Sequence, residues 1–456
     1  MAVYKFENGL RKVIPYRFQY KTHPKTRWIG KTLVDVYKTE FGEKPSLIEQ
    51  DISLNSIYVL SNYGRKNGPV VIKGWDNLGE RRIDSFDLIY NLKHMHEPSV
   101  PQEIEQIEQI EHPEEQNNKL METVEESNKI VDVAIEWPSQ SKTRLNIVFE
   151  DQDILVVNKP SGVPTHPTGN YFYNSVTEIV KHDLKLEQVW PCHRLDKVTS
   201  GILILAKNKD AAKYYLKIIQ NEKETISKEY ITRVQGEFPQ GEIMVNCPIF
   251  SVNSTGGYIK PLNAEQIPTN STTIFQRIAY NKELNQSVVV CRPLTGRMHQ
   301  IRIHLRNMDH PIVNDYMYNP TNTKLYNHSI NKLNNEIEME LYHRIFKTYP
   351  EFHTFSKVDI STIRSEQCID VYGLTSWNTD QDLLQKVQNL KALRQQGFEK
   401  LKLENDTVCN ECHRYLFDTD KDMSDLSIWL HAFKYVFPHG DRPFTFKTEY
   451  PKWCYI

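Results

Sequence analysis

The chain lacks what a membrane or secreted protein needs. No apolar run approaches the roughly 18 residues of a membrane span. Residues 1–10 include Glu7 and have no apolar signal core, so no secretory leader is expected. The basic stretch as far as Lys38 has the charge of a mitochondrial presequence, but Pro15 and Pro24 interrupt any amphipathic helix there. Seven cysteines in 456 residues, without regular spacing, do not make a disulfide framework and indicate a reducing compartment. The expected location is cytoplasmic, with the mitochondrion an alternative. A Gly-rich phosphate loop is also lacking, so nothing suggests ATP or an organic cofactor. Net charge is only −2, so a nucleic-acid partner has to be argued from local charge.

What is present is length and core. A chain of 456 residues implies two or three domains, and 39% hydrophobic with 11% aromatic residues can build them. Residues 1–40 carry nine Lys or Arg against three acids, interleaved with Tyr16, Phe18, Tyr20 and Trp28. Basic side chains among flat rings suit nucleic acid; an ordinary basic surface with core aromatics explains them equally well. A helix is expected to begin within Ile29–Val36 and a strand at Val70–Lys73, and His94-Met95-His96-Glu97-Pro98 closes the region. Residues 1–98 are therefore read as a basic, aromatic N-terminal module. Residues 99–141 follow as an acidic linker, with nine glutamates and one lysine between Pro101 and Glu126. Such a composition cannot bury enough apolar surface to offset its ordering entropy.

The organising stretch is Pro191-Cys192-His193-Arg194-Leu195-Asp196-Lys197-Val198-Thr199-Ser200-Gly201. A lone carboxylate, Asp196, sits among His193, Arg194 and Lys197. A phosphate-binding surface should exclude it, so it is either an arginine's structural partner or a reacting group. Thr199-Ser200-Gly201 turns into the apolar run Ile202–Ala206, a buried strand. Upstream, Ile147–Glu150 and Ile154–Lys159 read as two strands, and Lys159-Pro160-Ser161-Gly162-Val163-Pro164-Thr165-His166-Pro167 as a stiff connector without chemistry of its own. Asn208 can cap a helix to about Glu222. Ser227–Gly236 and Ser287–Pro293 are further strands. Leu294-Thr295-Gly296-Arg297-Met298-His299-Gln300-Ile301-Arg302-Ile303-His304-Leu305 follows. On a helix, His299, Arg302 and Arg306 would share one face and Met298, Ile301 and Leu305 another.

These stretches resemble the RluA-type pseudouridine synthases. The pattern H-R-L-D-x-x-T-S-G is matched at all seven specified positions from His193 to Gly201. K-P-x-G-x-x-x-H-P is matched from Lys159, K-x-Y at Lys228-Glu229-Tyr230, T-G-R-x-H-Q-I-R-x-H from Thr295, and the closing L-H-A at Leu430-His431-Ala432. The resemblance implies an α+β fold with a large, mainly antiparallel or mixed sheet split by an RNA-binding cleft. The catalytic domain would occupy 142–456, with a polar, irregular insertion at 321–425. It implies isomerisation of uridine to pseudouridine, with Asp196 acting on the ribose, Arg302 pairing with Asp196, and Tyr230 stacking on the base and moving the C5 proton. Whether Asp196 bonds to the sugar or assists glycal formation stays open. Arg194 would fill the gap left by the flipped base, with His193, Arg297 and Arg306 as further RNA contacts. No cofactor is expected, since the isomerisation imports no group and changes no redox state. The N-terminal module, with its H-x-H-E-P, is similar to the one preceding the catalytic domain in fungal tRNA members acting at nucleotide 31 or 32. The expected partner is therefore the anticodon arm of tRNA, with mRNA or rRNA as alternatives, and the chain is expected to act as a monomer.

Two other functions and a metal site share some of these residues. A non-catalytic RNA-binding protein would share every basic feature. A zinc nucleobase deaminase needs H-x-E and P-C-x-x-C. His112-Pro113-Glu114 lies in the acidic linker, and no proline precedes Cys409-Asn410-Glu411-Cys412. His94, His96 and Glu97 fall within four residues and lack a second cluster; Cys409 and Cys412 supply two ligands of four, with Cys368 and His413 at a non-standard spacing. No metal site is therefore assigned.

Overall fold

The computed structural model describes residues 2–41, 43–101, 145–221, 226–247, 249, 251–253, 258–260, 271–321, 328–348, 380–404, 408–412, 416, 426–437 and 444–456. Most of the acidic linker, together with His112, Glu114, Cys368 and His413, lies outside them. The chain forms two compact units. One is chiefly Val13–Glu97 with Val408–Leu416, and the other is Phe6–Lys12, Pro98–Thr407 and Phe417–Ile456.

The smaller unit holds a four-stranded antiparallel sheet in the order Tyr16–Thr22, Leu88–Met95, Ile57–Ser61, Val70–Ile72. Helices Leu33–Phe41 and Pro45–Ser53 bury Leu33, Val36, Tyr37, Ile48 and Ile52 against Ile57, Val59 and Ile89. Strand alternation sorts the basic and aromatic residues of 16–22 onto opposite faces. Tyr20 pairs with Asn91, which pairs with Ile57, so Phe18 and Tyr20 share the helix-covered side. Arg17, Gln19 and Lys21 point the other way. There Tyr58 and Tyr90 stack with centroids 4.7 Å apart, Lys73 lies over Tyr58 and Lys21 over Tyr90.

The larger unit is built on a ten-stranded sheet. Its main path runs Glu242–Asn246, Thr272–Asn281, Gln286–Pro293, Ser227–Gln235, Leu430–Phe437, Ser200–Ala206, Ile154–Lys159, Asn146–Glu150. Every pairing is antiparallel except that of Ser200–Ala206 with Leu430–Phe437. With the helices on it, this is the expected α+β, mainly antiparallel architecture. The run Ile202–Ala206 is continuously apolar because both faces are covered. Ile202 and Ile204 pack with Ala211, Ala212 and Ile218 of helix Lys209–Asn221, and Leu203 and Leu205 with Val176, Ile179 and Val180 of helix Val176–Leu184. Asn208 caps the first of these helices, accepting from the Ala211 N–H at 2.8 Å.

Two expectations need correction. The helix after Leu294 begins only at Gln300 and runs to Asn307. His299 takes a left-handed φ of 57°, and Met298 is exposed rather than packed. Residues 321–425 are also not irregular throughout. Helices His328–Thr348 and Gln381–Glu404 pack together, and Ile337, Leu341, Tyr342, Leu383, Val387 and Leu390 join one core with Ile303 and Leu305. Arg306 lies in that junction, buried, with Nη1 donating to Glu338 at 2.6 Å and to Asn335 at 2.9 Å.

Glu338→Ala strands the buried Arg306 guanidinium and is expected to lower unfolding stability by about 3–5 kcal/mol. Arg306→Met combined with Glu338→Leu should recover most of that loss. Denaturant unfolding followed by circular dichroism checks both; an unchanged midpoint for Glu338→Ala would contradict the docking of the inserted helices. Gly201, at φ 113°, faces Ala432 in the parallel pair, and a Cβ there would overlap the Ala432 backbone. Gly201→Ala is expected to cost about 3 kcal/mol or more in the same experiment.

Candidate active site

Asp196 is held by its backbone from one side and faced by charge from the other. The loop carrying it is clamped by the connector at 159–165. The Thr165 hydroxyl donates to the Leu195 carbonyl at 3.1 Å and accepts from the Leu195 N–H at 3.2 Å. The Gly162 N–H donates to the Lys197 carbonyl at 2.8 Å, and the Ser161 hydroxyl donates to that of Val198. Lys159 is fully buried, and its ammonium donates to the carbonyls of Pro160, Val163 and Lys197 at 2.8, 2.7 and 3.1 Å. Burial pushes its pKa down to about 7, against the pull of the Asp196 charge. The connector read from sequence as inert thus sets the Asp196 backbone.

Arg302, 2% exposed, projects from helix Gln300–Asn307. Its Nε and Nη2 donate to Asp315 at 2.7 and 2.9 Å, while Nη1 lies 3.6 Å from Asp196 Oδ2. The hydrogen bonds of Arg302 thus go to Asp315, and the pairing with Asp196 that the resemblance implies is present as a longer ion pair. Asp315 also accepts the N–H groups of Met317 and Tyr318 at 2.9 and 3.2 Å. Burial works to raise its pKa, but the charge and hydrogen bonds of Arg302 and the two backbone donors outweigh it and hold the carboxyl below its usual value.

Asp196 is the opposite case. Its side chain is 19% exposed, and among the described residues the nearest ionisable partners are the Arg302 guanidinium, with Nη1 at 3.6 Å, and the His299 ring, with Nε2 at 3.7 Å. Both lie beyond hydrogen-bond length. The carboxylate is oriented by charge but keeps its lone pairs. His299 is fixed through Nδ1 to the Tyr318 hydroxyl at 2.8 Å. Burial, then the Arg302 charge, push its pKa down to about 4, so the ring is neutral near pH 7.

Tyr230 reaches the site through a bulge in Ser227–Gln235, where the register against Leu430–Phe437 shifts between Glu229 and Tyr230. Its hydroxyl meets that of the buried Tyr435 at 2.7 Å. Burial, with the Asp196 charge adding and Tyr435 subtracting, raises its pKa to about 12, so it is a phenol at rest.

The other candidates divide. Arg194 and Arg297 are exposed. Arg306 is buried and saturated, so it offers nothing to phosphate. His193 is not placed for RNA either: its Nε2 accepts the Ile204 N–H at 3.2 Å, and burial holds its pKa near 3. Within T-G-R-x-H-Q, Gln300 is structural. It accepts from the Arg297 N–H at 3.1 Å and donates to the Thr272 carbonyl at 2.9 Å, which locks the turn ahead of Arg302. Sequence reasoning missed Asp315, Lys159 and Tyr435 as parts of this site. The available signal was an Asn-charge pair closing a short apolar run, Asn158-Lys159 after Ile154–Val157 and Asn314-Asp315 after Pro311–Val313.

The arrangement is a partly exposed, unsaturated carboxylate over a buried guanidinium, beside a phenol pair on two central strands of the sheet. It can attack or deprotonate a sugar while a flat ring is held against Tyr230. Comparison with known proteins points to the same chemistry. A model of the RNA pseudouridylate synthase family matches residues 153–307. The tRNA pseudouridine(31) synthase of Saccharomyces cerevisiae is 32% identical over 472 residues, covering 99% of this chain and 96% of that protein. The mitochondrial tRNA pseudouridine(32) synthase of the same organism is 30% identical, covering 98% and 78%. The pseudouridylate synthase RPUSD2 of Mus musculus is 30% identical, covering 99% and 73%. With similarity running end to end and Asp196, Tyr230 and Arg302 gathered at one site, the chain belongs to the RluA-type pseudouridine synthases, enzymes that isomerise uridine in RNA.

Proposed function

We propose that this enzyme converts uridine to pseudouridine in the anticodon arm of tRNA, at nucleotide 31 or 32. The observation that carries the chemistry is the contrast between the two carboxylates. Asp315 is saturated with donors, and Asp196 is held without being consumed. The substrate follows from the two yeast relatives, which span nearly all of the chain and are named for those nucleotides.

In this reading the target uridine leaves the helical stack at a cost of about a few kcal/mol, and exposed Arg194 fills the gap. Asp196 works on the ribose while the C1′–N1 bond breaks. The uracil turns, C5 bonds to C1′, and the C5 proton is lost as N1 gains one. No group is imported and no electron changes hands. Tyr230 packs against the ring, and its hydroxyl, paired with Tyr435, gives its proton to the freed N1 and takes the C5 proton in return, ending as the phenol it began. His299, neutral near pH 7, leaves Arg302 as the cation facing Asp196. Arg297 and the outward face of Arg17, Lys21 and Lys73 contact the phosphate backbone. Residues 142–456 carry the reaction and 1–98 the auxiliary RNA grip. The chain works as a monomer in the cytosol or the mitochondrion.

Transcripts of anticodon arms with tritium at C5 of a single uridine test the substrate. Label should be released from position 31 or 32 and from no other uridine. Release only from mRNA or rRNA fragments would overturn the tRNA assignment, and release from none would overturn the catalytic one. Asp315→Asn loosens Arg302 and should lower kcat by about 10²-fold while KM changes little; an unchanged kcat would show that the buried pair does not position Asp196.

A further inference from the structure

The smaller unit brings together two motifs that lie 315 residues apart in the chain. His94 ends the strand Leu88–Met95, and His96 follows two residues later, so both project to one side. That side is the outward one, since His94 pairs with Arg17. Cys409 and Cys412 lie on a tight turn, in which the Glu411 N–H donates to Cys409 Sγ at 3.4 Å. Cys409 Sγ lies 3.4 Å from His94 Nδ1, and Cys412 Sγ lies 3.5 Å from His96 Nε2. The four donor atoms all fall within 4.8 Å of one another.

We propose that His94, His96, Cys409 and Cys412 form a structural zinc site that ties the segment around Cys409 to the sheet of the smaller unit. Zn–S bonds of about 2.3 Å and Zn–N bonds of about 2.0 Å give a tetrahedron with edges of about 3.3–3.8 Å. The two sulfur–nitrogen separations already have that length. Each cysteine lies against a different histidine, so both motifs contribute to one cluster of four donors. His94 would bind through Nδ1. Its Nε2 then faces Glu411 Oε2 at 3.8 Å, a carboxylate behind a metal-bound histidine, and the same oxygen meets Arg17 Nη2 at 3.5 Å. Glu97 does not join the set: it accepts from the Tyr16 hydroxyl at 2.6 Å. Four protein donors close the coordination shell and leave no position for substrate water, so the metal holds structure rather than doing deaminase-type chemistry. A metal here would cross-link the unit where two distant parts of the chain meet, and its binding energy would contribute directly to folding.

Metal analysis of the purified full-length chain should find one zinc per molecule. Exchange for cobalt(II) should give the visible bands of a tetrahedral ion and a thiolate-to-cobalt charge-transfer band in the near ultraviolet. Cys409→Ser combined with Cys412→Ser should lose both the zinc and that band. Should this variant fail to fold, the metal content and cobalt spectrum of the parent protein still decide. A parent protein that takes up no thiolate-bound cobalt, or a charge-transfer band that survives in the double variant, would overturn the proposal.

Discussion

The bidentate pair between Arg302 and Asp315 leaves one guanidinium nitrogen unspent, and the site depends on where that nitrogen points. Two buried charges cost several kcal/mol each in lost hydration. The cost is offset because Asp315 accepts from two guanidinium nitrogens and two backbone N–H groups, so neither carboxylate oxygen is left without a donor. Arg302 is therefore fixed before any substrate arrives. Its Nη1 sets a positive charge 3.6 Å from Asp196, near enough to orient the carboxylate and too far to cap it.

The other half of that arrangement is backbone. The loop carrying Asp196 has no regular structure of its own, and a loop would ordinarily be mobile. Here Lys159, Gly162 and Thr165 take the carbonyls and the N–H on either side of Asp196, and Gly201 lets the following strand lie against Ala432. Asp196 is thus placed by two independent supports, a clamped backbone and a clamped counter-ion. Preorganisation of this kind lets a modest carboxylate act on a glycosidic bond without rearranging at the moment of reaction.

How legible this was in the sequence followed from how local each feature is. The strands at 154–159 and 200–206 read directly, because their apolar runs are bounded by turn residues and covered on the sheet, and 227–235 reads from its β-branched and aromatic residues. Asp196, Tyr230 and Arg302 were found through motifs, and the fold brings them to one place. Asp315 was not found, because its meaning comes from the chain turning back 13 residues after Arg302. Arg306 looked like a phosphate contact because its partner, Glu338, belongs to helices whose narrow apolar stripe is hidden in a polar composition. The paired histidines and cysteines each looked incomplete because neither half shows the other in the linear chain.

The oriented, unsaturated carboxylate of Asp196 is the group on which the chemistry turns. Single-turnover conversion of an anticodon-arm RNA by Asp196→Asn tests it most directly, since the amide keeps the shape and removes the charge. The rate should fall by about 10⁴-fold or more, with RNA affinity within a few-fold of the parent. Conversion at the parent rate would contradict the account.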